Sequence, residues 1–213
     1  MLDASSHLRS ALSHRWTKPA LCLLGLLPFA WLFWGAANDA LGPNPAEHLI
    51  RSTGDWTLRF LCITLAVTPL RVTLGLPELL KLRRMFGRFT YFYVVLHLLC
   101  YSWLDMEFDW ADIAHDIAKR PFILVGFSAF LLLTPLAATS FNRAIRWLGA
   151  KRWQRLHRSV YAIAVLAVLH FFWMRAGKNN FAEVFVYGLV LFVLLAWRFF
   201  RSSFWLRFVR SSV

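Results

Sequence analysis

The chain has 213 residues, 59% of them hydrophobic and 17% aromatic, and a formal net charge of +13. An apolar share so far above that of soluble domains marks an integral membrane protein. It also argues against nucleic acid as the partner of the positive charge, because the Lys and Arg residues sit in short gaps between long apolar runs rather than on one soluble basic face. Cys22, Cys62 and Cys100 each lie inside an apolar run, without CxxC spacing or even pairing. They read as reduced, buried small residues, with no disulfide or zinc site among them.

Residues 1–19 form a polar N-terminal tail carrying Arg9, Arg15 and Lys18. The apolar run from Ala20 to Ala37 lacks an A-x-A cleavage signal followed by a soluble domain, so it reads as a retained first span. Further apolar runs lie at about 57–72, 89–104, 121–139, 158–174 and 182–199, each near the ~17–25 residues a bilayer requires. The expected fold is therefore all-α: six transmembrane helices in one bundle over residues 20–200, followed by a basic tail at 201–213. Pro28, Pro69 and Pro135 fall within or near the ends of three spans, where neighbouring helices re-satisfy the freed carbonyls.

Orientation follows from the basic residues. The N-terminal tail, the 71–88 and 140–158 connections and the C-terminus hold 18 of the 24 Lys and Arg residues. The opposite side carries most of the acids, among them Asp39, Glu47, Asp55, Asp105, Asp116 and Glu183. Both termini are expected in the cytoplasm. Trp56, Trp103, Trp110, Trp147, Trp153 and Trp173 lie near span ends, as in an interfacial aromatic belt. No connection exceeds about twenty residues and no G-x-G-x-x-G or P-loop occurs, so the chain has no nucleotide-binding domain of its own and must receive any electrons from elsewhere.

Seven histidines divide by depth. His7 and His14 lie in the polar tail, and His48 and His115 in outer connections, where a solvated role suffices. His97 and His170 lie well inside apolar runs, and His157 sits at the cytoplasmic edge between Arg155 and Arg158. Counting ~1.5 Å per residue from Arg88 and from Arg158 puts His97 roughly 13 Å deep and His170 roughly 18 Å deep. A modest tilt removes that difference, so the two can face each other and ligate one haem iron from both sides. Zinc fits less well, since no third or fourth ligand of zinc type lies at that depth. The bland reading is that both imidazoles are hydrogen-bonding glue between helices.

On a straight helix His157 and His170 stand about 19–20 Å apart along the axis, too far for one metal. His157 therefore either binds a second haem or meets a propionate or lipid headgroup. Haem propionates want cations, and Arg71, Arg88, Arg152, Arg155 and Arg158 are candidates, although each also serves topology.

GLLPFAWLFW (25–34), the segment from STGDWTLRFL to TPLR (52–71), RRMFGRFTYFYVVLHLLCY (83–101), KRPF (119–122) and GAKRWQRLHRSVY (149–161) resemble the MsrQ (YedZ) family. The resemblance runs from span one into span six. That family belongs to a wider ferric-reductase-like transmembrane group that includes the membrane part of NADPH oxidases. In that group the H-x12-H spacing on span five, here His157 and His170, carries haem ligands. The oxidases usually have two histidines on span three, whereas this chain has only His97 there, which leaves one haem or two open.

The resemblance implies a haem b subunit of the bacterial inner membrane, with FMN as a further family cofactor for which no residue here marks a site. It implies electrons taken from the quinol pool or a cytosolic flavin reductase and passed to MsrP, a periplasmic molybdenum-cofactor reductase that repairs methionine sulfoxide in envelope proteins. The acidic stretch 105–116 is a candidate docking surface for that partner. The rivals are a ferric or superoxide-type reductase of the same fold, and a small transporter or structural subunit whose histidines relay protons or glue helices. The last would more often show internal repeats, broken helices at midplane or buried carboxylates.

Overall fold

A computed structural model describes residues 2–176 and 181–211, with side chains described for 6–176 and 181–201. Every regular element among the described residues is helical. Helix α1 (Leu2–Ser13) is polar. An Arg9 guanidinium N–H donates to the Gly75 carbonyl at 2.9 Å, and Leu12 packs beside Leu82 and Met85, so the N-terminal tail is a helix laid against the α3–α4 turn.

Helix α2 (Thr17–Ala37) is apolar on nearly every face and buries only Gly25, Leu32 and Gly35, as expected of a helix that turns most of its surface to lipid. Its ladder is opened near Pro28. The Tyr93 hydroxyl donates to the Gly25 carbonyl at 2.8 Å and accepts the Phe29 N–H at 3.1 Å, standing between two groups that a regular helix would join to each other. Gly25 permits the close approach, since a Cβ there would lie 2.6 Å from the Phe89 ring.

Helix α3 (Pro45–Thr73) starts at an Asn44 cap whose side chain accepts the Glu47 N–H, with Pro45 in the first turn. It begins well before the apolar run at 57, so the expected span is the C-terminal part of a longer helix whose first turns carry Glu47, Arg51 and Asp55. A 3₁₀ turn at Pro77–Leu79 leads into α4 (Leu80–Cys100), which continues as a π-helical stretch at Tyr101–Asp105. Helix α5 (Trp110–Lys119) is capped by Asp109, whose carboxylate accepts from Ala111 and Asp112 N–H. This part of the acidic stretch is thus an amphipathic helix with Ile113 and Asp116 turned inward. Helix α6 (Pro121–Ala138) follows at once.

The basic 140–158 connection folds into two short helices, α7 (Asn142–Leu148) and α8 (Ala150–His157), joined at Gly149 with φ +73°. Two turn residues, Arg158 and Ser159, stand between α8 and α9 (Val160–Ala176), and together the two helices form one 27-residue stretch that carries both His157 and His170. Helix α10 (Ala182–Ser211) runs on through the basic tail, and the side chains of Arg207 and Arg210 lie outside the described residues.

Two apolar clusters share α3. One joins Leu58, Leu61 and Leu65 to Leu133 and Leu136 of α6, Ile163 and Ala164 of α9 and Leu191 of α10. The other stacks Phe60 on Phe89 and Tyr93 of α4. Four stretches among the described residues are long and apolar enough to cross a membrane: Thr17–Ala37, Pro121–Ala138, Ala150–Ala176 and Ala182–Arg201. Helices α3 and α4 have the length, but charged residues occupy the outer turns of α3 and the first turns of α4.

Candidate functional site

Pairing of α3 with α4 and of α6 with α9 brings His97 and His170 together. Their ring centroids are 6.2 Å apart with the planes at 76°. The same local device holds each ring. His97 Nδ1 lies 2.8 Å from the Ile50 carbonyl of α3, and His170 Nδ1 lies 2.7 Å from the Phe122 carbonyl of α6. A carbonyl only accepts, so both Nδ1 atoms carry the proton and both Nε2 atoms keep a lone pair. This second-sphere bond is the one that orients metal-ligating histidines.

Each carbonyl is exposed to its imidazole by a glycine one turn further along the same helix. A Cβ at Gly54 would lie 3.2 Å from His97 Nδ1, and a Cβ at Gly126 would lie 2.7 Å from His170 Nδ1. Both glycines mark places where a ring passes close to a helix backbone.

Both rings line a cavity of about 290 Å³, just under the ~300–1,000 Å³ common for ligand pockets. Its inner walls are apolar, with Leu61, Phe130, Leu133 and Ile163 among them, and its outer mouth carries Arg51, Asp55, Asp105, Arg120 and Arg175. The cavity is thus amphiphilic along its length. At the mouth, Arg51 pairs with Glu47 at 2.6 Å, Arg120 with Asp116 at 2.7 Å, and Arg175 with Glu183. The Tyr101 hydroxyl, on the π-helical stretch, donates to Asp116 at 2.7 Å and ties α5 over the opening.

His157 stands apart from this pair. Its Nδ1 lies 3.1 Å from the Trp153 carbonyl of its own helix, and its ring stacks on Trp153 with centroids 3.9 Å apart. Arg88, Arg155 and Arg158 are exposed, and none of the three lines the cavity. Among the described residues no group of three or more His, Cys, Asp or Glu side chains is placed to hold a metal ion.

The Ferric reductase like transmembrane component family matches residues 53–168, more than half of the chain. A protein of Polaromonas naphthalenivorans named as the heme-binding subunit MsrQ of protein-methionine-sulfoxide reductase is 70% identical, covering 88% of this chain and 85% of that one. The chain belongs to the MsrQ family. MsrQ proteins of Bordetella pertussis, 55% identical over 85% of this chain and 87% of theirs, and of Ralstonia nicotianae, 52% identical over 87% and 86%, bear the same description. No solved structure matches. Membership of a transmembrane family, together with the long apolar helices, makes this MsrQ family member a membrane protein.

Sequence reasoning singled out both histidines but passed over their partners. Gly54 and Gly126 carry a signal only in hindsight, as small residues within otherwise bulky spans. Ile50 and Phe122 act through their carbonyls, which no side-chain type announces. Arg51, Arg120 and Arg175 line the cavity from the side that orientation counting treats as poor in cations.

Proposed function

We propose that the chain is a haem b electron-transfer subunit of the bacterial inner membrane, with six spans and both termini in the cytoplasm. It takes electrons from the quinol pool or a cytosolic flavin reductase and passes them to a periplasmic MsrP-type molybdenum-cofactor reductase for repair of methionine sulfoxide. The pairing of His97 with His170 carries this reading. Two imidazoles that each give a nitrogen to one iron at about 2.0 Å from opposite sides have centroids roughly 6.3 Å apart. The observed 6.2 Å, with both Nδ1 atoms spent on carbonyls, fits that requirement. The heme-binding subunit named among the relatives supports the same choice.

Haem, when bound, supplies a one-electron couple, and the residues do the rest. His97 and His170 would hold the iron through their Nε2 atoms, and the apolar inner walls would exclude water from the ring. The cavity's polarity runs from apolar inside to cationic at the mouth, which suits propionates directed to Arg51, Arg120 and Arg175 rather than to Arg88, Arg155 and Arg158. His157 lies outside this cavity's lining and would serve a separate contact near the basic face.

Visible spectra of the purified protein, oxidised and dithionite-reduced, test the haem assignment. Wild type should show b-type bands, and His97→Ala and His170→Ala should each lose them; unchanged bands in both variants would refute the ligand pair. The partner assignment needs a second measurement, reduction of added MsrP by membranes supplied with quinol or with a flavin reductase. No transfer from either donor would remove the repair role and leave the haem site standing.

A further inference from the structure

Among the described residues, one half-buried carboxylate on the wall of the His97–His170 cavity is left without a partner. Arg51 pairs with Glu47 at 2.6 Å, Arg120 with Asp116 at 2.7 Å and Arg175 with Glu183, so each arginine at the mouth already meets another acid. Arg59, one turn beyond Asp55 on α3, gives its Nε to the Tyr187 hydroxyl at 3.0 Å and lies over the Trp56 ring at 4.5 Å. Asp55 itself lines the cavity and makes neither an ion pair nor a hydrogen bond among the described residues. The other acid on the cavity wall, Asp105, is exposed and open to water. Asp55 directly follows Gly54, where a Cβ would stand 3.2 Å from His97 Nδ1. Consecutive Cα atoms are about 3.8 Å apart, which keeps the Asp55 backbone within about 9 Å of that imidazole.

An ionised carboxylate that is neither paired nor fully solvated is costly, and a proton relieves the cost. An electron added beside His97 removes one positive charge from the same confined space, which makes that proton bind more tightly. We propose that Asp55 takes up a proton from the outer side when the haem between His97 and His170 is reduced, and gives it back on reoxidation. This rests on the haem reading and adds a proton carrier to it. One electron, from the quinol or flavin donor, converts ferric to ferrous iron; one proton, entering through the mouth, converts the Asp55 carboxylate to the neutral acid. The net charge of the cavity is then the same before and after reduction. The groups around Asp55 do not duplicate this role. Arg51 and Arg59 of α3, Arg120 before α6 and Arg175 of α9 stay charged. Glu183 of α10 is held ionised by Arg175, and Tyr101 keeps its proton in the bond to Asp116. His97 of α4 and His170 of α9 hold their Nδ1 protons against carbonyls.

The test uses the full chain with its haem in nanodiscs and reads the midpoint by spectroelectrochemical titration across a pH series. In wild type the midpoint should fall as pH rises, because reduction takes up a proton. Asp55→Asn should flatten that slope at least twofold, whereas Asp105→Asn, which removes a charge from the same mouth, should move the midpoint and keep the slope. Redox-difference infrared spectra read the proton directly: on reduction wild type should gain a carboxylic C=O band that shifts in heavy water, and Asp55→Asn should lack it. With b-type bands present, a wild-type midpoint independent of pH, equal slopes in wild type and Asp55→Asn, or equal flattening in Asp105→Asn overturns this proposal alone. A preparation without b-type bands overturns the haem reading and this proposal with it. Should Asp55→Asn fail to fold, Asp55→Glu keeps the carboxyl; it should keep the slope and displace the infrared band, and an undisplaced band there overturns the assignment to this residue.

Discussion

A methyl group on Gly126 would stand 2.7 Å from the Nδ1 of His170, closer than any relaxed structure tolerates, so the absence of a side chain at 126 is what lets the imidazole reach the Phe122 carbonyl. Gly54 holds the same relation to His97 with a looser 3.2 Å clearance. The two positions therefore predict a graded outcome. Gly126→Ala should push His170 off its carbonyl and cut haem content by more than half, with overpacking costing about 1–3 kcal/mol. Gly54→Ala should cost less, because its neighbour has to give by only a few tenths of an ångström. Haem per protein, from the pyridine haemochrome, checks both; equal occupancy in both variants and wild type would mean that the glycine clearances do not govern the site.

Tyr93 supports α2 from a distance. Tyr93→Phe removes at once the donor to the Gly25 carbonyl and the acceptor of the Phe29 N–H, leaving two helix groups to rejoin across the gap. Buried hydrogen bonds of this kind are worth about 1–2 kcal/mol together in a membrane interior. The variant should unfold at lower SDS fraction than wild type while its reduced spectrum is unchanged, since Tyr93 does not line the cavity.

The outer-mouth arginines should tune the reduction potential. A nearby cation favours the reduced, less positive iron, so removing one lowers the midpoint. At an effective dielectric of ~20, a charge about 10 Å away is worth several tens of millivolts. The effect should follow burial: largest for Arg175→Gln, whose side chain is 13% exposed, smaller for Arg51→Gln at 29%, and smallest for Arg120→Gln at 52%. Spectroelectrochemical titration reads the order. Arg88→Gln, distant from the cavity, should leave the midpoint in place, and a larger shift there than at Arg175 would reverse the proposed orientation of the propionates.

Asp116 is the joint between α5 and the mouth of the cavity, accepting from Tyr101 and pairing with Arg120. Asp116→Ala removes both contacts from a side chain that is only 7% exposed as a residue. The expected cost is on the order of 1–2 kcal/mol, with the half-exposed Arg120 partner contributing little. Hydrogen exchange should rise first in 110–119, while α3, α4, α6 and α9 keep their protection.

Much of this protein was legible in its sequence because the bilayer imposes simple rules. Long apolar runs announced helices, and counting ~1.5 Å per residue put His97 and His170 at comparable depth. Helix count does not follow from those rules alone, as α3 and α4 show: both are long, yet their charged turns blur the hydropathy signal. What pairing of α3 with α4 and α6 with α9 decided was the facing of the two imidazoles, the carbonyls that orient them and the glycines that admit them. It also decided which arginines meet the cavity. The physical reason is that depth along a helix is a one-dimensional quantity that residue order carries directly, whereas the azimuth of a helix and the carbonyl it offers a neighbour are set only when helices pack.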